Sequence, residues 1–477
     1  MSKEKNEFKK AKENEESKLG CQILEQLDEN LKIAAEDMIP MKKCESSSKG
    51  YKEYLNKAKT ERENVAYVLN DIKNKGFKEF DKNKKYKPGD KVYLVNRNCG
   101  IVLAVIGKDG VKNGVKFAIA HIDAPRLDLK PNPLMENSDF AMLKTHYYGG
   151  IKKYQWTTIP LSLHGRIVKN DGTYVDVSLG ENEGEPCFCI TDLLPHLARE
   201  QMNKKMSQAI MGEDLNVLVG SLPFKSDEGS ELVKLNVLKI LNDKYGIVEE
   251  DFISADLEFV PAMKAQDIGF DRSMIGGYAH DDRSCAYPSY QAILSCKSPK
   301  QTAVVLLTDK EETGSDGTTG MQSRFLEYFV SDLADMDNCK CSDVLSKSKC
   351  LSADVSAAYD PTYSSSYEVS NTPFANRGVV LEKYPGSGGK YGTSEASAEF
   401  TGEIRKLLND NKVLWQSGEL GKVDIGGGGT IAKYIANLNV DVIDVGVPVL
   451  SMHSPFEIIS KIDLYMTYKA ISVFLND

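Results

Sequence analysis

The sequence lacks long apolar runs and paired-cysteine motifs. No stretch of about 18 apolar residues occurs, so we predict no transmembrane helix and no membrane partner. The charged segment that follows Met1 contains no apolar signal region, and we therefore expect a cytoplasmic protein. The 10 cysteines are scattered without a CxxC pair. This favours reduced thiols over a disulfide framework or a cysteine zinc site.

Excess positive charge is also absent. The chain has 60 Lys and Arg residues against 69 Asp and Glu residues, a net charge of −9. This balance argues against non-specific nucleic-acid binding, and we predict no nucleic-acid partner. No internal repeat or low-complexity tract occurs. The length of 477 residues exceeds that of one ordinary core, so we expect two or three domains.

The apolar pattern divides the chain into stretches of different character. Residues 1–75 predict helices, residues 131–260 predict mainly short strands, and the chain from residue 261 alternates strand and helix. The segments KVYLVNRN and KFAIAHID predict two strands before the middle stretch. We therefore predict an α/β fold in which a mixed central sheet is flanked by helices. One discontinuous domain, residues 1–130 and 261–477, would carry a β-rich insert at residues 131–260.

Several local predictions follow from the same patterns. PLSLHGRIV, TYVDVSL and KLNVLKIL are predicted strands, with KNDG as a turn between the first two. The polar stretch 201–230 is a predicted long loop. MQSRFLEYFVSDL and KIDLYMTYKAISVFLN are predicted helices. Pro288 is expected to kink or end the helix DDRSCAYPSYQAIL.

Acidic residues and histidines follow the predicted strands at the points where these end. Ligands of open α/β sheets bind beyond the carboxyl ends of the strands, so these side chains could converge. They are His121 and Asp123 after KFAIA, Glu311 and Glu312 after TAVVLLT, Asp354 after CLSA, and His453 after VPVLSM, with Asp281 opening a helix.

Such a set suits a pair of divalent metal ions. One carboxylate would be shared by both ions, and each ion would need about two more protein ligands, for which imidazole and carboxylate suit zinc. A further carboxylate must stay free as a general base, so Glu311 and Glu312 could divide the roles of base and ligand. Taken singly, each residue has an ordinary interpretation: a hydrogen-bonding histidine, a solvated glutamate, or a helix N-cap at Asp281. Only the joint pattern favours a metal site.

At this point the motifs resemble a known family. In order along about 121–460, they are AHIDAPRLDLKP, HDDRSCAYPSYQAI, TDKEETGSDG, LSADVSAAYDPTY, KYGTSEAS, GGGGTIAKYIA and SMHSPFEI. Together they resemble the M18 metallo-aminopeptidases. The resemblance implies an enzyme that hydrolyses the N-terminal residue from a peptide substrate, by means of a metal-bridged hydroxide and a glutamate general base.

The resemblance also implies a role for each matching residue. It makes Glu311 the general base, and it makes Asp123 the residue that orients His121. The HDD motif leaves a choice between Asp281 and Asp282 for the bridging ligand, and the family pattern favours Asp281. The implied metal ligands are Asp281 for both ions, His121 and Asp354 for one, and Glu312 and His453 for the other. Two divalent ions per subunit are implied, with zinc as the default and cobalt or manganese as fitting alternatives.

Members of the family assemble into hollow dodecamers built from dimers. The resemblance therefore implies a homo-oligomer in which the insert forms the dimer contacts. In the family, a histidine from that domain reaches the neighbouring subunit's active site, and SLHGR places His164 at this position. Without the resemblance, His164 would be an ordinary β residue.

Glu382 departs from the family pattern of the aspartyl enzymes. The segment GVVLEK carries Glu382 near the position where those enzymes carry a lysine. A carboxylate there would repel an acidic substrate side chain, so we expect a neutral or basic N-terminal residue rather than a strictly acidic one. DPTY replaces a PNY-like segment, which is a smaller change.

Three alternatives remain open from the sequence. A related two-metal carboxypeptidase or amide deacylase would use a similar ligand set. A nucleotide-binding protein could use the glycine run Gly426–Gly429, whose N–H groups could face an anion or a carbonyl oxygen, although no Walker A lysine follows. A flexible turn is the ordinary interpretation of that run. A scaffold protein without catalysis would not need the complete ligand set.

Overall fold

The structure is a computed structural model that describes residues 40–225 and 229–477. The predicted helical stretch before residue 40 lies outside the described residues. The helices are α1 (Met41–Lys57), α2 (Glu61–Ile72), α3 (Arg199–Met202), α4 (Met206–Ala209), α5 (Leu232–Tyr245), α6 (His280–Ser295), α7 (Phe325–Met336), α8 (Cys341–Leu345), α9 (Ala398–Asp410), α10 (Ala432–Ala436) and α11 (Lys461–Asn476).

The strands form three sheets. Those before and within the predicted insert are β1 (Phe77–Glu79), β2 (Lys91–Asn96), β3 (Gly100–Val105), β4 (Val115–His121), β5 (Arg126–Asn137), β6 (Phe140–Tyr148), β7 (Leu161–Val168), β8 (Tyr174–Leu179), β9 (Asn216–Gly220) and β10 (Ala255–Pro261). Those that follow are β11 (Gln266–Ile268), β12 (Met274–Gly277), β13 (Thr302–Thr308), β14 (Lys349–Ala353), β15 (Ser356–Ala357), β16 (Val379–Glu382), β17 (Trp415–Ser417), β18 (Asp441–Gly446), β19 (Pro448–Leu450) and β20 (Glu457–Ser460).

A nine-stranded mixed sheet forms the centre of the molecule, in the order β1-β2-β3-β13-β4-β14-β18-β16-β17. Strand β13 pairs antiparallel with β3 and parallel with β4, and β14 continues the parallel part. All seven residues of β13 are buried, because helices cover both faces of the sheet. The predicted α/β fold with a mixed central sheet is confirmed.

Successive residues of the central strands enter two different cores. In β4, Ala118 and Ala120 pack into one apolar cluster with residues of α1, α2, α6 and α11. Phe117 and Ile119 pack into a second cluster with residues of α7, α8 and α10. This alternation follows from the two-residue period of a strand. The sheet is therefore the middle of three layers.

A six-stranded antiparallel sheet is built from residues 126–261, in the order β8-β7-β10-β5-β6-β9. It has its own apolar core, in which Trp156 and Phe259 are fully buried. The range lies close to the predicted insert at 131–260. The division of the chain into domains stays a prediction.

The prediction that KLNVLKIL is a strand is wrong, because this segment lies within helix α5. Val233 and Val237 are buried at a spacing of four residues and face the core of the six-stranded sheet. Leu235 and Ile240 are 43% and 56% exposed. A short apolar run of this kind fits both the two-residue period of a strand and the 3.6-residue period of a helix. Packing on one side selects the helix.

Three other boundaries differ from the predictions. The stretch 201–230 is not one long loop, since it contains strand β9, which pairs with β6. Helix α7 begins at Phe325, later than the segment MQSRFLEYFVSDL indicates. Of the two outcomes expected at Pro288, a kink or the end of the helix, the second is wrong, because α6 continues to Ser295. Burial of nearly every residue around Pro288 holds the helix together where one main-chain hydrogen bond is lost.

The third sheet has five strands, β11-β12-β20-β19-β15. Strand β12 leads into α6, and β19 leads into the segment that contains His453. Among the helices of residues 40–225 and 229–477, none combines the length and the apolar character that crossing a membrane requires.

Candidate metal centre

The neighbouring strands β13, β4 and β14 run parallel and end at the same edge of the central sheet. His121 is the last residue of β4, Asp354 follows β14 by one residue, and Glu311 and Glu312 lie in a turn three residues after β13. The carboxyl ends of parallel strands are where open α/β sheets bind ligands. The topology thus brings together side chains that are far apart in the chain.

Segments that follow strands β12 and β19 of the five-stranded sheet contribute the remaining two residues. Asp281 is the second residue of α6 and has a non-helical backbone conformation. Its place after His280 means that it is not the N-cap of the helix. His453 lies in the turn between β19 and β20, with a φ of 63°. Both side chains point to the edge where His121 lies.

The Asp281 carboxylate lies between two imidazole rings. One oxygen, Oδ1, is 3.2 Å from Nε2 of His121. The other, Oδ2, is 3.1 Å from Nε2 of His453. A carboxylate that faces one ring with each oxygen has the geometry that a bridging metal ligand needs. The neighbouring acid Asp282 instead accepts a hydrogen bond from the backbone N–H of His121 at 3.2 Å.

Two groups of side chains could each hold a metal ion. Within each group, one potential ligand atom from every residue lies within 4.8 Å of the others. The groups are His121, Asp281 and Asp354, and Asp281, Glu312 and His453, which are the two predicted sets. Asp354 Oδ1 lies 3.8 Å from Nε2 of His121, and Glu312 Oε2 lies 3.6 Å from Nε2 of His453.

Hydrogen bonds determine which imidazole nitrogen faces the site. Nδ1 of His453 lies 2.8 Å from the carbonyl oxygen of Gly150, and Nδ1 of His121 lies 3.1 Å from the carbonyl oxygen of Asp123. A carbonyl oxygen can only accept, so both Nδ1 atoms carry the hydrogen. In both rings, the lone pair of the neutral imidazole is therefore on Nε2, which faces Asp281.

The site fits divalent cations in two independent respects. Buried His121 Nε2 and Glu312 Oε1 have no hydrogen-bond partner in the described residues, which is costly unless a cation contacts them. In addition, the carboxylates of Asp281, Glu311, Glu312 and Asp354 crowd around two neutral rings. Their four negative charges are balanced by two divalent ions, and nitrogen and oxygen donors of this kind suit zinc.

The same excess of negative charge raises the pKa of the histidines when no cation is present. Burial opposes protonation of His453, but the Asp281 carboxylate against Nε2 outweighs it and raises the pKa to about 11. Burial likewise opposes protonation of His121, and its contacts with Asp123 and Asp281 raise its pKa well above the usual range. The surroundings thus attract positive charge.

Glu311 belongs to neither group of potential ligands. Its Oε2 lies 3.9 Å from Nε2 of His121, and its side chain is 18% exposed, facing the cavity. Burial raises the pKa of Glu311 to about 7 when no cation is present. Bound cations would oppose this rise and favour the ionised carboxylate, the form that accepts a proton.

The turn that carries Glu311 is held by Asp123. The Asp123 carboxylate accepts hydrogen bonds from the backbone N–H groups of Glu311 at 3.1 Å and Glu312 at 3.2 Å. Tyr148 donates its hydroxyl to the same carboxylate at 2.7 Å. Asp123 therefore connects the His121 ring with the turn, as a residue that supports the site rather than one within it.

His164 lies apart from these groups and is 2% exposed. Its Nδ1 is 2.7 Å from Glu63, and its Nε2 is 3.1 Å from the Ser162 hydroxyl and 3.2 Å from Glu181. The structure thus brings the other predicted site residues together but leaves His164 in a buried polar cluster. Its role toward a neighbouring subunit stays a prediction.

A cavity of about 490 Å³ opens over the site. Glu311, Glu312 and His453 line one side, and Glu382 and residues Gly427–Thr430 line the other. Gly427 has a φ of +101°, and a Cβ there would lie 2.5 Å from the Cα of Ser387, so this wall requires glycine. The glycine run forms part of the cavity wall, followed by the short helix α10.

Sequence reasoning missed three residues that touch the site. Tyr148 and Gly150 lie at the end of β6 and just beyond it, and no motif marks them. Glu457 accepts hydrogen bonds from the backbone N–H groups of Asp281 and His453. Its position four residues after His453, within SMHSPFEI, is a signal that could have found it.

Comparison with known proteins identifies the family. The profile of the Aminopeptidase I zinc metalloprotease family (M18) matches residues 54–475. A probable M18 family aminopeptidase 1 of Clostridium acetobutylicum is 51% identical over 435 residues, which are 90% of this chain and 94% of the relative.

Solved structures extend the comparison to the fold. An M18 family aminopeptidase from Thermotoga maritima matches with a TM-score of 0.88 at 46% identity, over 91% of this chain and 97% of that one. The dodecamer of aminopeptidase 1 from S. cerevisiae matches with a TM-score of 0.72 at 20% identity, over 89% and 95%. The second similarity shows a shared fold alone.

Carboxylates and imidazoles clustered at the carboxyl edge of an α/β sheet suit a metal-dependent hydrolase. The chain belongs to the M18 family of zinc metalloproteases, and it is a metallo-aminopeptidase.

Proposed function

We propose that this aminopeptidase uses two divalent ions, with zinc favoured by the types of ligand, to remove neutral N-terminal residues from peptides. One observation carries the proposal: the Asp281 carboxylate faces a different imidazole with each oxygen. A single-ion site would have no use for the second group of ligands.

Each ion would be held by three side chains. Asp281 would be shared, with His121 and Asp354 completing one set and Glu312 and His453 the other. When bound, the ions would polarise the scissile carbonyl and supply the hydrolytic nucleophile.

Glu311 is the proposed general base. Its carboxylate faces the cavity and belongs to neither ligand set, so it is available to accept a proton from water and return it to the departing amine. Asp123 holds the Glu311 backbone and keeps the carboxylate directed at the cavity. Among the described residues, no Lys or Arg lines the cavity to pair with a free substrate carboxylate, which favours an aminopeptidase over an enzyme that recognises such a group.

Glu382 supports the preference for a neutral residue. Its carboxyl group lines the cavity, is 4% exposed and accepts a hydrogen bond from the Ser356 hydroxyl. Burial raises the pKa of Glu382 to about 8, so at neutral pH the group is mostly uncharged. When ionised, Glu382 repels an acidic substrate side chain, and in neither form does it supply the positive charge that would attract one.

We further propose that the chain forms a dodecamer built from dimers, with residues 131–260 as the dimerisation domain. The S. cerevisiae relative that shares the fold is a dodecamer. Exposed apolar side chains between β8 and β9, among them Leu193, Leu197 and Met202 at 53%, 68% and 73% exposure, supply a surface for such contacts.

Replacing Glu311 with Gln tests the assignment of the base. We expect two ions to stay bound while kcat falls by about 10²–10⁴-fold, because the amide cannot accept the proton. Glu327→Gln, on the outer face of α7, is the matched control and should keep wild-type activity. Near-normal turnover by Glu311→Gln would show that another group is the base.

A panel of aminoacyl reporter substrates, with and without a chelator, tests the reaction and its specificity together. Leucyl and alanyl substrates should be cleaved faster than aspartyl ones, and the chelator should abolish cleavage. A free peptide compared with its N-acetylated form distinguishes an aminopeptidase from an amide deacylase. Cleavage of the acetylated form alone would contradict the proposal.

A further inference from the structure

Glu457 lies behind the site and is 1% exposed. Its Oε2 accepts a hydrogen bond from the backbone N–H of Asp281 at 3.0 Å, and its Oε1 accepts one from the backbone N–H of His453 at 2.6 Å. Each oxygen of the Glu457 carboxyl group thus accepts a hydrogen bond from one N–H group. One side chain ties together the backbones of two proposed metal ligands.

The five-stranded sheet explains why Glu457 reaches both residues. Strand β20 pairs antiparallel with β12, where Glu457 is opposite Gly277, and it also pairs antiparallel with β19. Strand β12 leads to Asp281 and strand β19 leads to His453. Glu457 therefore lies between the two chain segments as they leave the sheet.

Neither backbone has a regular conformation at these positions. Asp281 is non-helical within the first turn of α6, and His453 has a positive φ. Their N–H groups therefore do not enter an ordinary helix or strand ladder, and a buried N–H without an acceptor is costly. The carboxylate of Glu457 satisfies both.

The two proposed ligand sets are supported differently. His121 and Asp354 lie at the ends of paired strands of the central sheet. Asp281 and His453 lie in irregular segments whose amides meet at Glu457, and Asp281 is shared by both sets. His453, however, belongs only to the set that contains Glu312. Loss of Glu457 should therefore affect that set more than the other.

We infer that Glu457 is a positioning residue that holds Asp281 and His453 in register, and thereby sets the affinity of the Asp281–Glu312–His453 group for its divalent ion. The inference rests on the proposed two-ion function. Residues that orient metal ligands in this way typically change affinity by about 10–100-fold when replaced.

The test is zinc binding by Glu457→Gln. Glutamine has nearly the same shape, but only one of its two terminal groups accepts, so its NH₂ would face one of the two N–H groups. We expect the full-length variant to keep one tightly bound zinc ion per chain and to bind the second at least tenfold more weakly than wild type. Zinc buffered by a competing chelator, with metal content measured per chain, gives both affinities.

Asp463 offers a matched control. It is fully buried, and its carboxylate also accepts two backbone N–H groups, those of Asn376 and Gly378, each at 2.7 Å. Asp463→Asn should therefore lower the thermal midpoint as Glu457→Gln does, while keeping both zinc affinities at the wild-type value. If the role of Glu457 were merely structural, Glu457→Gln and Asp463→Asn would both have a lowered thermal midpoint and unchanged zinc affinities.

The outcomes separate the two proposals. If wild type binds two ions and Glu457→Gln binds both with unchanged affinity, or if Asp463→Asn loses the second ion equally, the role of Glu457 is overturned and the two-ion function stands. If wild type binds fewer than two ions, the proposed function fails, and the role of Glu457 fails with it. Should Glu457→Gln not fold, Glu457→Asp keeps the carboxyl group but is too short to reach both amides. Wild-type affinity for both ions in that variant would again overturn the role.

Discussion

Single hydrogen bonds decide the chemistry of the individual site residues. The carbonyl of Gly150 places the hydrogen of His453 on Nδ1, and the carbonyl of Asp123 does the same for His121. Both rings then present Nε2 to the same carboxylate. The ligand character of each histidine thus depends on a main-chain atom that no side-chain motif specifies.

Glu382 should make the stability of the protein depend on pH. Its pKa is raised from 4.5 to about 8 by burial, so the folded state binds a proton that the unfolded state has lost over this range. The stability that comes from the protonated form is present below pH 4.5 and is lost as the pH rises through about 8. Glu382→Gln should therefore raise the thermal midpoint relative to wild type at pH 9, with little effect at pH 5.

Thermal melts of both proteins at the two pH values measure this difference. Ser356, Asp444 and Glu419 surround the Glu382 carboxyl group, so the variant leaves the neighbouring charges in place. Glu399→Gln, in the first turn of α9, is the control for a general charge effect. An equal change at pH 5 and pH 9 would contradict the pH dependence.

Helix α2 shows how a local element supports the packing between sheets. Thr60 and Glu63 form a capping box, in which the Thr60 hydroxyl accepts from the Glu63 N–H and the Glu63 carboxylate accepts from the Thr60 N–H. The other oxygen of Glu63 lies 2.7 Å from Nδ1 of His164 on β7. The start of the helix is thereby joined to the six-stranded sheet.

Thr60→Ala should destabilise the protein by about 1 kcal/mol, because it removes the acceptor for one N–H group at the helix start. Thr60→Ser keeps the hydroxyl and should behave as wild type. Urea denaturation followed by circular dichroism measures both variants. Equal stability of the alanine and serine variants would show that the cap does not contribute.

Two sheets meet at the site on the scale of the whole molecule. His121, Asp354 and the Glu311–Glu312 turn lie at or just beyond the ends of strands of the central sheet, whereas Asp281 and His453 lie in segments that follow strands of the five-stranded sheet. Metal ions that bind between them would join two parts of the fold. Bound metal should therefore stabilise the native state as a whole.

Removing the metal should lower the thermal midpoint. One ion at a free concentration a hundredfold above its dissociation constant stabilises the native state by about 2.7 kcal/mol. We expect a chelator to lower the midpoint by several degrees and added zinc to restore it, as measured by calorimetry. Asp281→Asn, which weakens both ligand sets, should show a much smaller difference in midpoint with and without zinc. An identical midpoint for the chelated and zinc-loaded wild type would contradict the metal centre.

Local sequence patterns predict much of the fold and of the candidate site. Buried strands such as TAVVLLT are readable because both faces are apolar, and the acids and histidines that follow them mark the carboxyl edge of the sheet. The segment KLNVLKIL, a predicted strand, is part of helix α5. A short apolar run does not distinguish a strand from one face of a helix until its packing partner is known.

The sequence by itself determined the α/β class, the membership of the M18 family and the set of residues proposed to hold metal, because these depend on residue type and on local order along the chain. Only the tertiary structure decided which oxygen of Asp281 faces which imidazole ring. It also decided that Tyr148, Gly150 and Glu457 support the site. These contacts join residues from separate strands and helices. Hydrogen bonds act over about 3 Å. Which residues come that close is set by how the sheets pack and not by position in the chain.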